Sequence, residues 1–139
     1  MNEAYRLYFR QVYRIACNSS NPDYQEWMSA PQYLRYLSEH PEVNTINKFK
    51  MANLPTEGTI LFVPWGSSPR SAKYIKDAGI DKVVYHKNAL DKVPTQSRKS
   101  CQVGIDLLSR FGVDVEYYEG KVFTHDEIEI KIRGRSFFP

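Results

Sequence analysis

The stretch from Thr59 to His86 restricts the possible folds more than any other. Two apolar runs, "TILFVP" and "DKVVYH", enclose a segment that opens on Ser68-Pro69 and closes on Gly79. Ser68 suits a helix N-cap because its hydroxyl can accept from a free N–H of the first turn. Pro69 suits the first helical position, where no N–H is needed. Ala72, Ile75 and Ala78 then share one face up to the Gly79 stop. A strand, a helix and a strand in so short a span form a βαβ unit, with a right-handed crossover and parallel strands.

The remaining elements are read around this unit. Tyr5, Phe9, Val12, Tyr13 and Ala16 recur at helical spacing, predicting an amphipathic helix from Ala4 to about Cys17, stopped by "NSSNP". Asp23 to Glu39 carry Trp27, Met28, Tyr33, Leu34 and Leu37 around Pro31, which predicts two short helical pieces. Pro41 opens a further helix through "HPEVNTINKFKMAN", with His40 at or just before its N-cap. After the βαβ unit, "KNALDKVPTQ" reads as a loop, Ser97 to Phe111 as a helix with Gly104 inside it, and "GVDVEYY" as a third strand. "EG" turns the chain into "KVF", and the alternating "EIEIKI" follows. The expected class is α/β, a small mixed sheet with helices on its faces.

Bulk properties narrow the function classes. A chain of 139 residues with 42% hydrophobic content can bury a core of its own, so one domain is expected. Its net charge of +3 is too mild to mark a nucleic-acid binder, although it would not repel a phosphate-bearing ligand. Arg6, Arg10 and Arg14 fall four apart and form either a solvated face or a stripe that reads phosphates. Cys17 and Cys101 alone can build neither a disulfide framework nor a cysteine-rich zinc module. No segment has the apolar length of a signal peptide or approaches the roughly 20 residues of a membrane span. A soluble, cytoplasmic protein without membrane association is the expectation.

The order of "HPEVNTI", a Glu-Gly turn, a strand, "PWGSSPRSAKYIKDAGIDKVVY" and "GIDLLSRFGVDVEYY" resembles the deoxycytidylate (dCMP) deaminase family of the cytidine deaminase superfamily. The resemblance covers roughly Glu39 to Tyr118. It implies a three-layer α/β/α fold and divides the single domain into a divergent helical part (1–38), a family-like core (39–118) and a C-terminal hairpin and tail (119–139). The family's first strand pair is expected to be missing or replaced by helix. In that family the first motif is His-Ala-Glu and the second Pro-Cys-x-x-Cys-Ala-Lys. The resemblance therefore implies that His40 is a retained zinc ligand, Glu42 a proton shuttle that does not itself bind metal, and Asn44 a further match. Ala72-Lys73 fixes the register of the second motif, which places the two family cysteines at Ser68 and Ser71.

Two thiolates supply charge and soft sulfur, on which zinc affinities of roughly 10–16 kcal/mol are built. One histidine and two neutral hydroxyls do not replace them. No cofactor is therefore expected, and without zinc no hydroxide nucleophile forms at neutral pH. A rearranged metal site would have to draw on His86, Cys101, His125 or Cys17. His40, Asn44, Ser67, Ser68, Arg70 and Ser71 are instead candidate ligand-binding residues, because helix N-termini with hydroxyls and a guanidinium favour an anion. The same residues also read as an ordinary capped helix start, with Glu42 simply placed in a favourable first turn.

Lys87, Lys92, Arg98 and Lys99 surround the loop after the second strand and either meet a phosphate or stay solvated. Phe137 and Phe138, in the terminal "RGRSFFP", either dock on a partner or fold back on the core. Taken together, the expectation is a catalytically degenerate deaminase-like protein that binds a nucleotide or small anion and serves a regulatory or scaffold role. The family forms dimers and hexamers, which implies self-association or a partner protein. One alternative is an active nucleotide deaminase or hydrolase using Glu42 with a recruited metal. Another is a nucleic-acid- or protein-binding module working through the arginine face.

Overall fold

Alternation along one strand organises the protein, whose structure is a computed structural model describing residues 2–17, 41–132 and 135–139. The helical pieces expected between Asp23 and Glu39, and His40, lie outside the described residues. Strand β2 (Lys82–His86) sits between β1 (Ile60–Val63) and β3 (Asp114–Tyr118), and both pairings are parallel. Lys82 stands opposite Ile60 on one side and Asp114 on the other. Val83, Val84, Tyr85 and His86 are all fully buried, as a central parallel strand covered on both faces requires.

Successive residues of β2 feed two different cores. Val83 and Tyr85 pack with Ile46 of helix α2 (Pro41–Met51), Ala72 and Ile75 of α3 (Pro69–Asp77), and Ile105 and Leu108 of α5 (Thr95–Arg110). Val84 packs on the other side with Phe9 and Tyr13 of α1 (Glu3–Cys17), Tyr118, Val122, Phe123 and Phe137. The result is three layers, with α2, α3 and α5 above the sheet and α1 with the C-terminal segment below it.

Local chemistry sets the ends of the βαβ unit. Ser68 caps α3 by accepting from the Ser71 N–H at 3.2 Å, and Pro69 opens the helix. Gly79 leaves it at φ +75°, a left-handed conformation that glycine adopts freely. The expected loop after β2 contains one helical turn, α4 (Lys87–Leu90), and α5 begins two residues earlier than its periodicity predicts, directly after Pro94.

The sheet corrects one expectation. All its pairings are parallel, and the antiparallel pair β4 (Ile130–Ile132) and β5 (Arg135–Phe137) forms a separate ribbon, so the sheet is not mixed among the described residues. "KVF" is not a strand either. Val122 and Phe123 are buried by packing, while their N–H groups donate to the Pro139 carbonyl at 2.7 and 3.4 Å. Phe137 is buried in the lower core and Phe138 is exposed, so this tail folds back onto its own chain.

The arginine stripe serves the same lower layer, so it is more than a solvated face. Arg6 donates to the Val122 carbonyl at 3.0 Å, and the guanidinium groups of Arg10 and Arg14 lie 5.4 and 5.5 Å from the Phe123 ring centre. Arg14 also pairs with Glu127 at 3.6 Å. Cation–π contacts at such partly exposed sites contribute about 0.5–1 kcal/mol each. Among the described residues, no helix is long and apolar enough to cross a membrane.

Helix α5 approaches the loop between β1 and α3 at backbone distance. A Cβ on Gly104 would fall 1.8 Å from the Ser67 carbonyl oxygen, a clash no rotamer relieves. Gly104→Ala is therefore expected to destabilise the fold by about 1–3 kcal/mol through forced separation of helix and loop. Urea unfolding of the two proteins checks this, and an unchanged midpoint would show that the helix does not rest on that carbonyl.

Candidate functional site

Glu42, the second residue of α2, has only 3% of its surface exposed, although a carboxylate in water is among the most strongly solvated side chains. Its position follows from two local choices. Pro41 starts the helix, and the acidic residue beside it occupies the positive end of the helix dipole. The carboxyl then reaches the loop that precedes α3. There Ser67, fully buried, donates from Oγ to Glu42 Oε1 at 2.9 Å.

Ser67 also lies 2.8 Å from the Tyr85 hydroxyl. Because its single proton is directed to Glu42, the phenol must be the donor in that second bond. A buried chain thus runs from Tyr85 through Ser67 to Glu42 Oε1. Burial raises the Tyr85 pKa above the ordinary phenol value, so the phenol keeps its proton at neutral pH.

The other carboxyl oxygen is different. Among the described residues, Glu42 Oε2 is a buried side-chain oxygen with no hydrogen-bond partner. Ser71 is near enough to favour the charged carboxylate, yet no hydrogen bond of good geometry forms at Oε2. Loss of water pushes the Glu42 pKa up from 4.5 to about 7, outweighing the backbone N–H of Glu42 and the hydroxyls of Ser67 and Ser71, which pull it down. Near neutral pH this carboxyl can therefore either donate or accept a proton.

Ser68 and Ser71 are together, at the start of α3. Ser68 Oγ donates to Ser71 Oγ at 3.2 Å while accepting from the Ser71 N–H. Ser71 is buried, Ser68 partly so, and Arg70 is exposed in the same turn. Asn44 belongs to α2 with Glu42, and His40 is outside the described residues. A pair of hydroxyls bonded to each other and to a helix N-terminus does not fit zinc, which takes deprotonated sulfur, imidazole or carboxylate.

The other candidates are not assembled with Glu42. His86 points to the lower face, where Nε2 donates to the Gly120 carbonyl and Nδ1 accepts from the Tyr13 hydroxyl, both at 2.7 Å. A carbonyl can only accept, which fixes this tautomer. Burial lowers the His86 pKa, and neither ring nitrogen is left for a metal. Cys101, half-buried on α5, is closer to Glu42, but burial and then the charge of Glu42 raise its pKa and hold it as an unreactive thiol. His125 is exposed in the C-terminal segment. Among the described residues, no three or more His, Cys, Asp or Glu side chains are grouped to hold a metal ion.

Sequence reasoning did not find Tyr85 or the role of Gly104. Strand alternation marks Tyr85 as inward-facing beside Val83, but nothing local announces that its hydroxyl meets Ser67. Compared with known proteins, the chain matches no family model and no curated protein.

The buried carboxyl makes stability depend on pH. Glu42 binds its proton more tightly folded than unfolded, so its contribution is complete below about pH 4.5 and falls as pH rises towards 7. The full range amounts to about 3 kcal/mol. His86, with a depressed pKa, acts in the opposite direction, contributing above its ordinary value of 6.5 and less as pH falls below it. Glu42→Gln is expected to flatten the loss between pH 5 and 7 and to leave the variant more stable than the parent at pH 8. Urea midpoints across that range test this, and parallel pH profiles would refute the burial of an ionisable carboxyl.

Proposed function

We infer that this chain is a ligand-binding protein on a deaminase-like scaffold, similar to the dCMP deaminase family but without its zinc chemistry, and that its ligand is a nucleotide. The observation that carries the reading is Glu42, whose buried Oε2 has no partner and which lies against the first turn of α3. A native fold leaves few buried polar atoms unpaired, and such an atom is satisfied when a ligand supplies the missing partner. A carboxyl poised near pH 7 matches a heterocyclic base in either form. The neutral acid donates to a ring nitrogen, and the carboxylate accepts from an exocyclic amine.

The serines support binding over turnover. Their hydroxyls are occupied in capping α3 and in bonding each other, and ionising them is far costlier than ionising a thiol. On this reading His40, Asn44, Ser67, Ser68, Arg70 and Ser71 surround the ligand and Glu42 contacts it, in a regulatory or scaffold protein that self-associates or pairs with a partner protein.

Thermal unfolding with dCMP and dCTP, with and without a chelator, tests the proposal. Binding to the folded state adds about 2.7 kcal/mol of stability at one hundred times Kd. A nucleotide-dependent rise in Tm that survives chelation and shrinks in Glu42→Gln is expected, with no ammonia released. Stoichiometric zinc together with ammonia release abolished in Glu42→Gln would establish an active deaminase instead. No response to any nucleotide would leave the Glu42 network a purely structural device.

A further inference from the structure

Strand β3 ends the parallel sheet on one side, with β2 as its one neighbour among the described residues. Asp114 donates its N–H to the Asp81 carbonyl at 2.9 Å, which sets the direction of the backbone groups that follow it. In a parallel pair alternate residues bond the neighbour, so Asp114, Glu116 and Tyr118 face β2 while Val115 and Tyr117 turn their N–H and C=O groups outward. Those outward groups have no hydrogen-bond partner among the described residues. A row of this kind is a template for one more strand.

The chemistry beside this edge selects the strand it can take. A cavity of about 320 Å³ opens at the end of β3 beside the start of α1, lined by Asn2, Tyr5, Glu116, Tyr117, Tyr118 and Glu119. Its wall holds three phenol rings, two carboxylates and no basic side chain. Glu116 is held in place, accepting from the Tyr5 hydroxyl at 2.7 Å and pairing with Lys82 at 2.8 Å. Glu119 is exposed and forms neither an ion pair nor a side-chain hydrogen bond among the described residues. An aliphatic stem that ends in a cation fits such a lining, because the rings cover the stem and attract the charge while the free carboxylate pairs with it. A second copy of this chain is a poor occupant. Two β3 edges laid antiparallel would bring Asp114 and Glu116 of one copy against the same carboxylates of the other.

We propose that the open edge of β3 receives an extended segment of a partner protein as a further strand, and that a lysine or arginine of that segment enters the cavity between Tyr5 and Glu119. Main-chain bonds to Val115 and Tyr117 supply affinity, and the cavity supplies the preference for a basic residue. The edge and the Glu42 site are separate places. Glu42 belongs to α2 in the upper layer, whereas the cavity opens beside α1 in the lower one, so neither reading depends on the other.

Amide NMR and hydrogen exchange with two synthetic peptides test the proposal. Both are blocked at their ends and alternate threonine with valine, and they differ only at a central position, arginine in one and glutamate in the other. The arginine peptide is expected to slow exchange of the Val115 and Tyr117 amides and to bind about tenfold more tightly than the glutamate peptide. Tyr117→Pro removes an outward N–H without touching the bonds to β2, a change that an edge strand accommodates, and should abolish binding. Tyr117→Ala keeps that N–H and should still bind. Glu119→Gln leaves the backbone as it is and should cut the preference for arginine to about threefold or less, and an unchanged Tm confirms its fold.

Equal affinity for the two peptides would overturn the proposal. Binding that leaves exchange at Val115 and Tyr117 unchanged would overturn it too, as would a Tyr117→Pro protein that binds as well as Tyr117→Ala. Failure of both peptides to bind the parent protein would show an edge closed to added strands.

Discussion

Ser67 is fully buried and is held by three elements at once. Its hydroxyl joins Glu42 of α2 to Tyr85 of β2, and its carbonyl lies where Gly104 allows α5 to close on the backbone. A serine that donates, accepts and leaves no room for a neighbouring Cβ fixes its surroundings more tightly than an apolar contact of the same size, because each bond has direction as well as distance. The upper layer around the start of α3 is therefore placed by polar geometry, with the apolar cluster of Ile46, Ile75, Val83 and Leu108 filling the space behind it.

The two faces of β2 treat buried polar groups in contrasting ways. His86 on the lower face has a partner at each nitrogen and sits among the rings of Phe9, Tyr118 and Phe137, so its burial is compensated. Glu42 on the upper face has one oxygen bonded and one without a partner. Adjacent residues of one strand, Tyr85 and His86, thus serve opposite ends: the first contributes to an incompletely satisfied site, the second ties α1 to the exit of β3. The incomplete side is where chemistry is to be sought, since a fully bonded network has no capacity left for a ligand.

How much of this could be read from the sequence depended on the range of the interaction. Ser68, Pro69 and Gly79 act on residues three or four positions away, and they placed α3 correctly. The continuous apolar run "DKVVYH" marked β2, whose last four residues are all buried. The strand expected at "KVF" failed because its apolar residues are buried by packing against α1, which local propensity cannot distinguish from strand pairing. The mixed sheet failed for a similar reason, since the antiparallel pair was legible but not its separation from the parallel sheet. Ser68 and Ser71 are brought together by the three-residue spacing of a capped helix start, whereas the Ser67 link to Glu42 spans 25 positions and left no local signal. The arginine stripe was visible as spacing, but its partner Phe123 lies more than a hundred residues further along the chain.

That last separation bears on how the molecule assembles. The βαβαβ portion is built from neighbours in sequence, each crossover closing a short loop, whereas the lower layer joins Arg6 to Val122 across 116 positions. Loops of that length close late and contribute most to a slow folding rate. The parallel sheet with α3 and α5 is therefore the part built from the most local contacts, and α1 with the C-terminal ribbon is joined to it by the most distant ones. The contacts of Arg10 and Arg14 with Phe123 thus close some of the widest separations along the chain, holding its two ends together on one face of the sheet.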